Sequence, residues 1–414
     1  MLVSIAKSQP QAAYTGFTAG FKHKMTYYIR TIPNIAEELK PLDEKISSQF
    51  IPAITDGHHC TQVERSLLSL PVRMGGMAIP VFAEMCDVEF QNSTLATNQL
   101  TTRIRQQQHE YDIDKNLEKQ IEQKIKKERA EKQEKMLEEV RKTMTKDQLR
   151  ANDIAQLKGA SAWLNALPLK DEGYDLNKRE FFDAVQLRYR WDLKHLPLRC
   201  VCKRSKFDVD HALQCTTGGF IHKRHDRIRD VFAKLLSDVS YDIRVEPPLQ
   251  PLTGETLVGA ANKREEARLD IAARGFWQEG AMAFFDVRVF NPFAKAYSNT
   301  KTDATFDLHE NKKKTAYNQR VIDIEHGSFT PLVMSAYGGF GRETERFMSK
   351  LICKIAEKKD MPMSVVANYI RTKISFSLVK SQVLCMRGSR RIWSQHVDSQ
   401  EAEVVQCAGE IRDC

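Results

Sequence analysis

Two groups of side chains in this sequence have the types and spacing for chemistry. The first is Cys200 and Cys202, then His211 and Cys215, a C-x-C-x8-H-x3-C pattern. Thiolate and imidazole are ligands that Zn²⁺ takes in a tetrahedron, and four protein ligands make such a site structural rather than catalytic. Cysteines one residue apart share a metal on a tight turn, and His211 and Cys215, four apart, fall on one helical face. Three of the nine cysteines crowd into this stretch with a histidine among them, so structural Zn²⁺ is expected. The alternative is buried free thiols beside a core histidine. The second group lies in EEARLDIAARGFWQEGAMAFFDVRVFNP, from Glu265 to Pro292. It reads as two strands, each with one aspartate in an apolar run: Asp270 and Asp286, with Arg288 two places on. A carboxylate on a buried strand is costly unless it is paired or holds a metal. Two side by side call for a cation between them. Mg²⁺ or Mn²⁺ held by Asp270 and Asp286, with phosphate oxygens and water completing its shell, suits phosphodiester hydrolysis. Strand alternation puts Arg288 on the face of Asp286, where it would steady developing charge. The alternative is a buried ion pair of Asp270 with Arg268 or Arg288.

These residues need elements to position them, and the order of elements can be read along the chain. Residues 1–98 form a helical block: Pro33 and Pro41 open helical turns, and LLSLPVRMGGMAIPVF turns at its Gly-Gly pair. The aromatics of residues 14–32 read as core rather than as a base-stacking platform. Residues 99–158 form a charged helical spacer, without Pro or Gly from 103 onward. Leu117, Ile121 and Ile125, then Met136, Val140 and Met144, give it a thin apolar stripe. A solvated spacer and a coiled-coil oligomerisation helix both fit that pattern. Residues 159–217 are a helical segment that delivers the chain to the cysteine group. Residues 218–345 alternate as α-β-β-β-α-β, from HDRIRDVFAKLLSDV through YDIRVEPPL and the two aspartate strands to HENKKKTAYNQRVIDIEHG and FTPLVMSAYGG. Two helices fill 346–394, and a polar tail ends the chain at 395–414. The fold class is α+β.

An α-β-β-β-α-β order with D-x15-D-x-R resembles the restriction-like, PD-(D/E)xK nucleases. Leu269 stands where that family has Pro, and Arg288 where it has Lys; arginine cannot serve as a base. The resemblance implies catalytic roles for Asp270, Asp286 and Arg288, with Glu246 as the further acid on the first strand. It also implies phosphate contacts from Gln319 and Arg320 on the following helix. Arg224, His225 and Arg227, at the start of the preceding helix, suit the backbone of a nucleic acid; a metal-binding role for His222 and His225 is the lesser alternative. A Cys/His knuckle followed at once by such a domain is similar to the C-terminal end of the reverse transcriptases of site-specific non-LTR retrotransposons. Arg268-Leu269-Asp270 matches the (R/K)PD of that family with Leu for Pro, and ERSLLSLPVRMGGMAI is similar to the stretch closing their thumb. Tyr111-Asp112-Ile113-Asp114 is the only near match to a polymerase Tyr-x-Asp-Asp turn and reads as chance. The expectation is therefore a truncated element with a DNA-nicking domain and no polymerase palm, or else an inert nucleic-acid-binding remnant.

Bulk properties agree with a polyanion partner, DNA or alternatively RNA: the 414 residues carry a formal charge of +9. Scattered, odd-numbered cysteines fit a reducing compartment. No signal peptide is evident in the opening MLVSIAKSQPQ. No run reaches the roughly 18 apolar residues of a membrane span. The nucleus or cytoplasm is the expected location.

Overall fold

The computed structural model describes residues 1–108, 114–204 and 206–388. The Tyr111–Ile113 part of the YDID sequence and the 395–414 tail lie outside them. Among the described residues the chain is α+β, with one four-stranded mixed sheet.

The N-terminal half is helical, and its helices begin where local chemistry starts them. Thr61 and Glu64 form a reciprocal capping box at α1 (Gln62–Ser69). After α2 (Phe82–Arg105), Asp114 caps α3 (Lys115–Lys142). Thr145 with Gln148 boxes α4 (Lys146–Gln156), and Asn177 with Glu180 boxes α5 (Lys178–Tyr189). Each box satisfies backbone N–H groups that the first turn leaves free.

The charged stretch does not run as one spacer. The 98/99 boundary falls inside α2, and α2 and α3 form a helical hairpin. The first half of α3 is solvated and carries Lys–Glu pairs one turn apart, Lys126–Glu122 at 3.6 Å among them. Its second half docks: Leu137 and Val140 are buried in the N-terminal core. Glu89 of α2 is buried there because two guanidiniums hold it, Arg30 at 3.1 Å and Arg129 of α3 at 2.5 Å. That same core takes in Trp163, Phe181 and Val185, so residues 159–189 pack with the N-terminal block. No helix among the described residues is long and apolar enough to cross a membrane.

The second half is built on the sheet. α6 (Val209–Ala212) and α7 (Phe220–Ser237) lead into β1 (Tyr241–Val245), β2 (Ile271–Arg274) and β3 (Met282–Phe290). α8 (Thr302–Asp323) then crosses over to β4 (Ser328–Ser335). Sheet order is β1-β2-β3-β4, antiparallel except that β4 runs parallel to β3. α9 (Arg342–Lys359) and α10 (Met363–Arg387) follow. β3 is central, and along it only Arg288 is exposed. Phe285, Val287, Leu332 and Met334 share one core with Phe232 of α7, Phe347 of α9 and Ile370 of α10. On the other face Phe284, Ala272 and Phe329 meet Val321 of α8. β1 is the exposed edge, and its Asp242–Arg244 pair puts charge where another strand would otherwise add.

α10 joins the halves. Its Phe376 and Val379 enter the N-terminal core, and its Arg387 grips the fully buried Asp183 of α5 through both oxygens, at 2.7 Å each.

Candidate functional site

The cysteine group folds into a cluster. Its turn begins with the Lys203 N–H donating to Cys200 O at 3.0 Å, with Lys203 left-handed at φ 59°. The Arg204 N–H points at Cys202 Sγ, 3.5 Å away. Asp208 then caps α6, accepting from the His211 N–H at 2.7 Å, which brings His211 and Cys215 to the turn. Cys200 Sγ lies 3.7 Å from Cys215 Sγ, and Cys202 Sγ 3.5 Å from His211 Nε2. A tetrahedron with Zn–S bonds of about 2.3 Å has sulfur–sulfur edges of about 3.8 Å, so the donor set fits a metal such as zinc. Lys203, Arg204 and Lys206 form an exposed basic rim. Behind it Cys200, Phe207 and Cys215 pack on Leu187, Val383 and Met386, so the cluster sits where the two halves meet.

The aspartates meet at the start of β2. Ile271 pairs with Phe285, and the Asp270 N–H donates to Phe285 O at 3.2 Å, so the next position outward sets Asp270 beside Asp286. The connection between the two strands is only the tight turn 275–281, which leaves them no choice but to be neighbours. Asp270 Oδ2 accepts the Val287 N–H at 2.5 Å and lies 3.1 Å from His225 Nε2 of α7. Asp286 is 5% exposed, and Lys313 Nζ of α8 stands 2.6 Å from its Oδ2. The sequence had offered Arg268 or Arg288 as ion-pair partners; the pairs are His225–Asp270 and Lys313–Asp286.

Burial pushes the Asp286 carboxyl up to about 6, the neighbouring Asp270 adds to this, and Lys313 pulls the other way. For His225, burial would lower the imidazole, but the Asp270 and Asp226 carboxylates outweigh it and raise the group. His309, one turn before Lys313 on α8, goes down to about 4 through burial and the positive charge of Arg288, Lys312 and Lys313. It is therefore neutral at neutral pH, and its Nε2 has no protein hydrogen-bond partner.

Asp286 holds its proton more tightly folded than unfolded. As pH rises from about 4 to about 6 the unfolded chain ionises first, and stability is lost through that window. His225 acts in the same sense, since its raised value gives stability below about pH 6.5 that fades at higher pH. Asp286→Asn should thus gain stability over wild type as pH rises from 4.5 to 7.5 in magnesium-free buffer. Urea midpoints check this, and a difference independent of pH would contradict the environment described.

The remaining sequence-predicted residues divide. Arg288 is exposed on the Asp286 face. Glu246 sits beside Asp270 through the backbone, its N–H donating to Asp270 O at 2.9 Å, while its carboxylate is turned to Arg229 of α7. Arg227 is exposed on α7. Gln319 is exposed and donates to Asp323 at 2.8 Å.

Two arginines do not stand where the sequence reading put them. Arg224 is 3% exposed and donates to the carbonyls of Leu213 and Val289. Arg320 is wholly buried and donates to the carbonyls of Gln250, Asn262 and Arg264. Both tie backbone together instead of facing phosphate, because helix rotation turned them inward. Conversely, the sequence reading missed Lys313 and His309, and gave His225 a phosphate where it has a carboxylate. His309 and Lys313 are four apart and so share a helix face, which was a usable signal; which of three consecutive lysines faces the sheet was not.

No family model matches this chain, and no curated protein matches it.

Proposed function

We propose that this protein is a metal-dependent endonuclease that nicks DNA, with a restriction-like core and a zinc knuckle that helps grip the backbone. The observation that carries the reading is the meeting of Asp270, Asp286 and Lys313 where β2 begins beside the middle of β3. A lysine on the helix after β3 supplies the cation that the family pattern puts on the strand, where this chain has Arg288. The strand order and the single parallel pair, β3 with β4, are in keeping with such a core.

Mg²⁺ or Mn²⁺ bound at Asp270 and Asp286 would supply a polarised phosphate and an activated water. The chain's own residues do the rest. His225 and the Val287 N–H hold the Asp270 carboxylate in one orientation. Lys313, unlike an arginine, can both stabilise charge on a phosphate oxygen and exchange a proton. Arg288 offers donors to a non-bridging oxygen from the same face. The exposed Arg227 and the basic knuckle rim would contact backbone phosphates, so binding should weaken steeply with salt. In a longer protein of the retrotransposon kind, such a nick would prime reverse transcription.

A second reading has its own support. Both aspartates already have protein partners, Lys313 for Asp286 and His225 for Asp270, which is what an inert nucleic-acid-binding remnant would show. Supercoiled plasmid separates the two. With Mg²⁺ or Mn²⁺ the expected product is open circle, absent with chelator and absent for Asp270→Ala and Asp286→Ala. Salt-sensitive binding without nicking in either metal would leave the remnant as the function.

A further inference from the structure

The N-terminal half holds a second constellation with the chemistry of a metal site. Asp56 and Gly57 are both left-handed, at φ 58° and 78°, and turn the chain sharply after the helical segment Ile51–Ile54. The turn aims His58 and Cys60 back at α1. There His58 Nε2 lies 3.2 Å from Glu64 Oε1, and the Cys60 sulfur completes a trio whose donor atoms all lie within 4.8 Å of one another. Nitrogen and oxygen ligands on a tetrahedral zinc, each at about 2.0 Å, are separated by about 3.3 Å, which is the spacing seen here.

The surroundings fix these donors as outer partners fix metal ligands. The His58 ring stacks on Trp191, centroids 3.8 Å apart. The Trp191 indole N–H donates to Glu64 Oε1 at 2.7 Å, and the Thr61 N–H donates to Glu64 Oε2 at 2.9 Å. The carboxylate is thus oriented from both sides, and the Oε1 lone pair that faces His58 is the one a metal would take. Thr61, Glu64 and Trp191 also line a cleft of about 360 Å³ closed by α3, α4 and α5.

We propose that His58, Cys60 and Glu64 form a second site for a zinc-class divalent cation, with a fourth position left for water and with Glu64 linking the site to this cleft. On binding, the Cys60 thiol proton leaves, and the proton shared by His58 Nε2 and Glu64 moves to Nδ1. Three protein ligands and one open position are the pattern of a reactive zinc rather than a closed structural one. The site is independent of the aspartates on the sheet and of the knuckle.

The test is zinc content. The full chain, grown with zinc and dialysed against zinc-free buffer, should hold two equivalents by mass spectrometry. Cys60→Ser should hold one, and Cys202→Ser should lose the knuckle's equivalent while keeping that at Cys60. Loaded with Co²⁺, the wild-type-minus-Cys60→Ser difference spectrum should show a tetrahedral ion with a single thiolate charge-transfer band. Glu64→Gln, which can still cap α1 as a glutamine does in such boxes, covers the case in which Cys60→Ser misfolds by circular dichroism. Equal metal content and identical cobalt spectra in wild type and the folded variants would overturn the proposal.

Discussion

On the proposed endonuclease reading, Lys313→Ala should cut metal-dependent nicking by about 10²- to 10³-fold, the usual loss when a single preorganised group that stabilises transition-state charge is removed. The affinity for DNA should change little, because at most one phosphate contact goes with it. The substitution separates Lys313 from Arg288, which faces the same way two residues from Asp286. Arg288→Ala should act mainly through weaker binding. Lys313→Arg refines the result: partial recovery would mean that charge alone is needed, and none would mean that the exchangeable proton of lysine matters. Undiminished nicking by Lys313→Ala would remove this residue from the site and return the cationic role to Arg288. A readout through stability is available as well. With Lys313 gone, the buried Asp286 loses its neutralising partner, and the variant should lose on the order of 1–3 kcal/mol at pH 7.5 and less at pH 5, where the carboxyl takes up a proton.

Arg320→Ala should destabilise the protein by about 3–5 kcal/mol, measured by urea denaturation. Three carbonyls lose their donor together, those of Gln250, Asn262 and Arg264, and a fully buried side chain leaves a cavity. These carbonyls belong to the irregular crossing between β1 and β2, which ends at Asp270. Loosening it should blur the position of that carboxylate. Arg320→Lys should still cost much of the stability, since one ammonium cannot span the three acceptors that a planar guanidinium reaches. If Arg320 instead met phosphate, its loss would weaken binding at unchanged stability, and that outcome would contradict the buried placement.

Local signals in the sequence were enough for local structure. The C-x-C-x8-H-x3-C spacing determined a cluster because a tight turn and a short capped helix bring its four donors together within sixteen residues of chain. Apolar periodicity set the order of helices and strands from 218 to 345. The short turn between the aspartate strands set their adjacency, and with it the meeting of Asp270 and Asp286.

What tertiary structure decided was which face of each helix turned inward. Charged residues look alike in a sequence, so Arg224 and Arg320 read as surface, although both are buried and donate to backbone carbonyls. Lys312, Lys313 and Lys314 are equivalent until α8 docks on the sheet and rotates Lys313 onto Asp286. The charged stretch read as a solvated spacer, yet Leu137 and Val140 found a core that only the fold assembles. His58 and Glu64 meet Trp191 across 127 positions of chain at the indole bond, far beyond any spacing rule. Periodicity and capping are properties of neighbouring residues, whereas the partner of a buried charge is chosen by the packing that excludes water around it.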